Sequence, residues 1–185
     1  YECPDLFELD GKWVLIISTN PGGRYGGSGT RYVIGNFDGI TFKEEGPAKY
    51  LDFGPDNYAS VTFNEAAERI SIAWMNNWEY ANQLERETWN GSMTAARKLQ
   101  IKNGELVQTF IGETEKFEIT EKNFEFKYSN GSLKFKSENG VLTIDRSELW
   151  DSSITQYSLP VTAPYKIETL FDAGSIELSI NGHFA

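Results

Sequence analysis

Residues 1–18, YECPDLFELDGKWVLIIS, read as two short strands around a turn at Asp10-Gly11. An Asx-Gly pair between apolar runs is a strong local hairpin signal, because both residues tolerate a positive φ. Residues 12–18 (KWVLIIS) are apolar and β-branched, the composition of a half-buried strand. The unit recurs after the Gly-rich loop 20–29 (NPGGRYGGSG): residues 31–37, the turn Asp38-Gly39, then residues 40–43. Residues 58–63, 69–75 and 93–101 continue the pattern, the last running into Asn103-Gly104. Short strands and Asx-Gly turns at this spacing point to an all-β sandwich, barrel or propeller. No stretch reads as a helix longer than two turns; residues 65–69 (EAAER) fit a hairpin connection equally well.

The texture changes near Gly112. Four of the five tryptophans precede it, in a background dense in glycine and asparagine. Beyond it the chain alternates cleanly in residues 123–128, 132–136, 141–145, 166–171 and 175–180. Such alternation is what an antiparallel sandwich sheet with one wet face shows. A boundary at 111–116 is expected, dividing residues 1–111 from residues 116–185. Asn181-Gly182 closes the last strand, with no return strand expected after it.

Composition narrows the chemistry. Hydrophobic residues make up 39% and aromatics 14% of the 185 residues, enough for a real core. Twenty-seven acids against 17 bases leave a formal charge of −10, which argues against nucleic acid or an anionic membrane as partner. No run approaches the ~18 apolar residues of a membrane span. Cys3 and His183 are the only cysteine and histidine. An internal disulfide and a cysteine zinc site are excluded, a histidine-based hydrolase triad is not expected, and no metal or cofactor is expected.

Polar and aromatic residues crowd three stretches: residues 52–58 (DFGPDNY), 74–80 (WMNNWEY) and 89–97 (WNGSMTAAR). Aromatic faces beside amides and carboxylates suit sugars, since rings stack on C–H faces while polar groups fix hydroxyls. Without histidine or cysteine pairs, the chemistry open to this chain is a pair of carboxyl groups acting on a glycosidic bond. Glu2, beside a Cys-Pro step and an apolar strand, is expected to be partly desolvated, which favours a proton donor. Residue types and spacing do not separate Glu2 from Glu79, Asp52 or Asp56 as that donor.

Taken in order, these motifs resemble glycoside hydrolase family 32, the invertases, inulinases and levanases. Tyr1-Glu2-Cys3-Pro4-Asp5 is similar to the family's Glu-Cys-Pro segment, and residues 18–29 to the loop after its next strand. Asp52-Phe53-Gly54-Pro55-Asp56-Asn57-Tyr58-Ala59 and Trp74-Met75-Asn76-Asn77-Trp78-Glu79-Tyr80 are similar to two further family motifs. Residues 91–99, 144–147 and 170–181 extend the likeness over nearly the whole chain.

The resemblance implies part of a five-bladed β-propeller followed by a β-sandwich. It implies retaining hydrolysis of terminal β-fructofuranosides in sucrose or fructans such as inulin and levan, with Glu2 as general acid/base. Cys3, Asp52, Tyr58, Trp78 and Tyr80 are then expected at the fructose pocket, and secretion is expected for such a substrate. The family's nucleophile and transition-state segments, Trp-Met-Asn-Asp-Pro-Asn-Gly and Arg-Asp-Pro, precede Glu-Cys-Pro, and neither occurs here. Asn77 is read as part of the later Trp-x-x-Asn-Trp motif, not as a mutated nucleophile. The chain is therefore expected to be the C-terminal portion of a longer enzyme. A noncatalytic carbohydrate-binding module, and a related propeller glycosidase acting on arabinan or xylan, are the alternative readings.

Overall fold

A computed structural model describes residues 1–64, 67–83, 91–149, 153–172 and 174–185. Every described element is a strand. The first sheet holds β1 (Glu2–Leu9), β2 (Lys12–Thr19), β3 (Gly29–Phe37) and β4 (Phe42–Glu44) in chain order, with β5 (Lys49–Tyr50) also on β3. The second holds β6 (Tyr58–Thr62), β7 (Ile70–Met75), β8 (Ser92–Met93), β9 (Arg97–Lys102) and β10 (Glu105–Phe110). Its order is β10-β9-β7-β6, with β8 paired to β7 beyond β9. All pairings are antiparallel meanders, the strand arrangement of propeller blades.

The remaining strands form two four-stranded sheets. One joins β11 (Glu115–Ile119), β16 (Tyr165–Asp172), β17 (Ser175–Ile180) and β18 (His183–Phe184). The other joins β12 (Asn123–Tyr128), β13 (Gly131–Glu138), β14 (Val141–Asp145) and β15 (Gln156–Pro160). Inward residues of both sheets, among them Phe135, Leu142, Ile144, Leu159, Ile167 and Leu178, make one core. A second core, built from Phe7, Val14, Ile16, Tyr32, Leu51, Leu99 and Leu106, lies between the first two sheets. Burying such side chains against one another contributes roughly 1.5–3 kcal/mol each.

The turns follow from local chemistry. Asp10-Gly11, Asn103-Gly104, Asn139-Gly140 and Asn181-Gly182 all carry positive φ at both positions, the conformation that matches the twist of a two-residue hairpin. Asp38-Gly39 is different: Asp38 Oδ1 accepts from the backbone N–H of Ile40 and Thr41, at 2.9 and 2.7 Å. That Asx turn moves the next strand to Phe42–Glu44, where a strand at 40–43 was expected.

Two expectations are corrected. The strand expected at 93–101 is broken: Thr94 pairs with Ala73 and the Ala95 N–H turns away to donate to Glu177 Oε1 at 2.6 Å. A return strand does follow Asn181-Gly182, since β18 pairs with β17 through Ile180↔His183 and Ser179↔Phe184. Phe184 is 1% exposed, and its ring lies 4.6 Å from that of Phe110. Two residues are enough because tertiary packing, not strand length, holds them. Glu65, and with it the start of the EAAER segment, lies outside the described residues, as does Trp89.

Candidate active site

Among the described residues six non-glycine residues have positive φ, and four of them sit in the Asx-Gly turns. The other two are Cys3 (φ 45°) and Ala59 (φ 52°), each inside a strand that carries a sequence motif. Both coincide with register shifts, between Glu2 and Asp5 in β1 and between Tyr58 and Val61 in β6. A bulge re-aims neighbouring side chains, and a left-handed non-glycine residue persists only where its surroundings impose it. The two strands are tied together: Thr62 donates to Asp5 Oδ2 through both its N–H and its hydroxyl, each at 2.7 Å.

Glu2 is exposed. The partial burial expected from its apolar strand is absent, because β1 is the edge strand of its sheet. Register sets Glu2 across from Ser18, and Ser18 across from Thr30. Ser18 is fully buried, and its Oγ finds no hydrogen-bond partner among the described residues. Thr30 Oγ1 donates to Asn57 O at 3.2 Å, and Asn57 Oδ1 is another buried acceptor without a partner among the described residues. Buried polar atoms left unpaired cost about 1–3 kcal/mol each, so this row marks a place prepared for polar groups.

An aromatic row runs alongside. The Tyr58 ring meets Trp74 edge-on at 6.2 Å, and Trp74 tilts against Trp78 at 4.9 Å. Tyr58 is 4% exposed, with its buried hydroxyl unpartnered among the described residues, while Trp78 is 45% exposed. Trp78 is held by its backbone, whose N–H donates to Ser28 Oγ at 3.0 Å. Asn77, 1% exposed, anchors that turn: its Nδ2 donates to the carbonyls of Gly26, Ser28 and Pro55, and its Oδ1 accepts from Ser28 and Glu79 N–H. Gly27 (φ 60°) must be glycine, since any Cβ there would sit on Asn77 Oδ1.

Asp52 and Tyr80 are placed differently from Trp78. Asp52 is 7% exposed; its Oδ2 accepts from Arg97 Nη1 at 2.6 Å and its Oδ1 from Gly54 N–H at 2.7 Å. Arg97 also reaches Glu177 of β17, Nη2 to Oε2 at 2.6 Å. Burial works against the Arg97 charge, but the two carboxylates outweigh it and raise its pKa. Tyr80 is 1% exposed; its hydroxyl meets Asp56 and accepts from Arg146 Nη2 at 3.1 Å. Arg146 Nη1 pairs with Asp56 Oδ2 at 2.6 Å. Both clusters border a cleft of about 540 Å³ between the second sheet and the sandwich, which neither Glu2 nor Trp78 lines.

Residue types and spacing did not single out Ser18 or Glu177. Ser18 ends an apolar run and Glu177 sits in plain alternation, so neither carries a local signal. No group of three or more metal-ligating side chains occurs among the described residues.

Blade-like meanders, a strained strand end bearing a carboxylate, an aromatic row and an attached sandwich define a propeller-and-sandwich protein. Residues 1–109 match the Glycosyl hydrolases family 32 N-terminal domain. The chain belongs to glycosyl hydrolase family 32.

Among its relatives, an extracellular exo-inulinase of Meyerozyma guilliermondii is 40% identical over 55% of this chain and 22% of its own length. A levanase of Bacillus subtilis is 37% identical over 75% of this chain and 23% of its own. An invertase of Wickerhamomyces anomalus is 32% identical over 88% and 34% respectively. The chain thus spans between about a fifth and a third of the length of these relatives. The solved exo-inulinase of Aspergillus awamori superposes with a TM-score of 0.76 at 24% identity, over 98% of this chain and 50% of that one. A sucrose-6-phosphate hydrolase of Lactobacillus gasseri gives 0.77 at 18% identity, over 100% and 48%. These likenesses establish the fold, part of a β-propeller followed by a β-sandwich.

Proposed function

We propose that this chain is the part of a retaining β-fructofuranosidase that supplies the proton donor, Glu2. The observation that carries the reading is the strained bulge at Cys3, which sets Glu2 on an exposed strand end across from Ser18, whose buried hydroxyl has no partner among the described residues. In a retaining mechanism the acid protonates the leaving glycosidic oxygen while a second carboxylate attacks the sugar; the same residue then deprotonates the water that releases it. The second carboxylate lies outside residues 1–185, in the segments that precede Glu-Cys-Pro in the family.

Trp78 offers its open ring to a sugar C–H face, with Tyr58 behind it through Trp74. Cys3 sets the backbone beside Glu2. Asp52 and Tyr80, engaged with arginines, shape the pocket from behind. The substrates are sucrose or fructans such as inulin and levan, in line with the names of the relatives, and the site of action is extracellular.

Fructose release from sucrose, inulin and levan, measured in the protein that carries this chain, tests the reading. Glu2→Gln should lower kcat by about 10²- to 10⁴-fold. Full activity in that variant would remove Glu2 from the mechanism, and release of arabinose or xylose in place of fructose would overturn the substrate.

A further inference from the structure

The site-bearing loops and the sandwich share one partly buried polar assembly. Arg146 follows β14, in the sandwich, yet two of its contacts reach across to the propeller side. Its Nη1 binds Asp56 Oδ2 at 2.6 Å, its Nη2 donates to Tyr80 Oη at 3.1 Å, and Nε and Nη2 are braced by Ile154 O at 3.1 and 2.9 Å. The guanidinium is fixed from its own domain and grips the other. A planar fork with five donors in set directions transmits position as well as charge.

The grip continues to the exposed ring. Tyr80 N–H donates to Asn77 O at 3.1 Å, which closes the turn that carries Trp78 between them. Asn77 Nδ2 in turn donates to Pro55 O at 3.0 Å, so the Asp56 loop and the Trp78 turn form one unit. Among the described residues the Trp78 ring, 45% exposed and tilted on Trp74, has no comparable tether of its own. Its placement is therefore decided by what holds Asn77 and Tyr80.

We infer that Arg146 is a positioning residue for the sugar pocket: through Asp56 and Tyr80 it sets the Trp78 turn, making the sandwich a working part of substrate binding. The inference rests on the proposed role of Trp78 and adds a residue that touches no substrate. A displacement of about 0.5–1 Å at a stacking surface forfeits roughly a quarter to a half of its dispersion contact, so the effect falls on substrate affinity before it falls on the chemical step.

A double-mutant cycle in the protein that carries this chain tests it, with KM and kcat for sucrose and the thermal midpoint measured for each variant. Arg146→Met should raise KM about tenfold with kcat changed by less than about threefold. Trp78→Ala should raise KM by a similar factor, and Arg146→Met added to Trp78→Ala should raise it by less than about twofold more, because the ring it positions is gone. Arg146→Lys should recover part of the loss.

Equal KM increases from Arg146→Met in both backgrounds would overturn the inference, as would a lowered thermal midpoint with KM unchanged. Where Arg146→Met does not fold, Tyr80→Phe removes the oxygen that joins Arg146 to the turn and is judged by the same criteria. A Trp78→Ala protein with unaltered KM would overturn both this inference and the proposed role of Trp78. That outcome is distinguishable, because it appears in the single variant alone.

Discussion

Arg97 of β9 and Glu177 of β17, 80 residues apart in sequence, meet at 2.6 Å with 3% and 6% of their side chains exposed. Asp52 completes the group from the other side, also at 2.6 Å. Two carboxylates share one buried guanidinium, and Gln108 Oε1 takes a further contact from Arg97 at 3.4 Å. The geometry satisfies each charge, which is the condition for a buried ion group to be tolerated.

Glu177→Ala leaves Arg97 one buried partner short and strips the acceptor from Ala95 N–H. A loss of about 3–5 kcal/mol of stability is expected, read as the urea midpoint at constant slope. A change below about 1 kcal/mol would show that the interface relaxes around the missing carboxylate.

Alkaline pH should loosen the same side of the molecule. Burial, and then the Asp56 carboxylate, push the Tyr80 phenol above its ordinary 10.0; burial does the same for Tyr157. Above that ordinary value the unfolded chain has released protons that the folded chain still holds. Their contribution is therefore complete below pH 10.0 and is lost as pH rises toward the raised folded values. Each group should contribute a slope of up to ~1.4 kcal/mol per pH unit, and Tyr80→Phe should flatten the fall by about one such slope. Urea midpoints between about pH 9 and 11 in the two proteins measure it.

Gly27→Ala meets two obstacles at once. The position holds φ 60°, and the added methyl would displace Asn77 Oδ1 from Ser28 and Glu79 N–H. A cost of at least about 2 kcal/mol is expected from the backbone and the broken hydrogen bonds together. An alanine variant as stable as the parent would mean that the turn carrying Trp78 re-forms elsewhere.

Phe184→Ala tests the return strand. The ring lies 4.3 Å from the Arg97 guanidinium, and the Phe184 carbonyl accepts from Phe53 N–H at 2.8 Å. Truncation should cost about 3–5 kcal/mol, as for other fully buried phenylalanines. Thermal or urea unfolding gives the value; a cost under about 1 kcal/mol would place the ring at the edge of the packing.

Most of the architecture is local and so was legible. Asn103-Gly104 makes its turn because the two residues accept positive φ wherever they stand, and KWVLIIS is a strand because its side chains suit a half-buried pleat. Gly112 lies between β10, in the second sheet, and β11, in another. The ordered motifs, read against a known family, pointed to glycosyl hydrolase family 32 without any coordinates. Local signals failed where long-range contacts took over: β18 was missed because two residues after a turn carry too little pattern, and β9 begins late because Ala95 answers to Glu177.

By itself, then, the sequence determined most strands, the turns and the family. The tertiary structure decided how the acidic motif residues divide. Asp52 and Asp56 stand four residues apart in one motif, yet Arg97 binds the first with Glu177, and Arg146 binds the second with Tyr80. Which arginine a carboxylate meets depends on burial and on strands that lie up to 90 residues away, and no pattern within the motif encodes that distance.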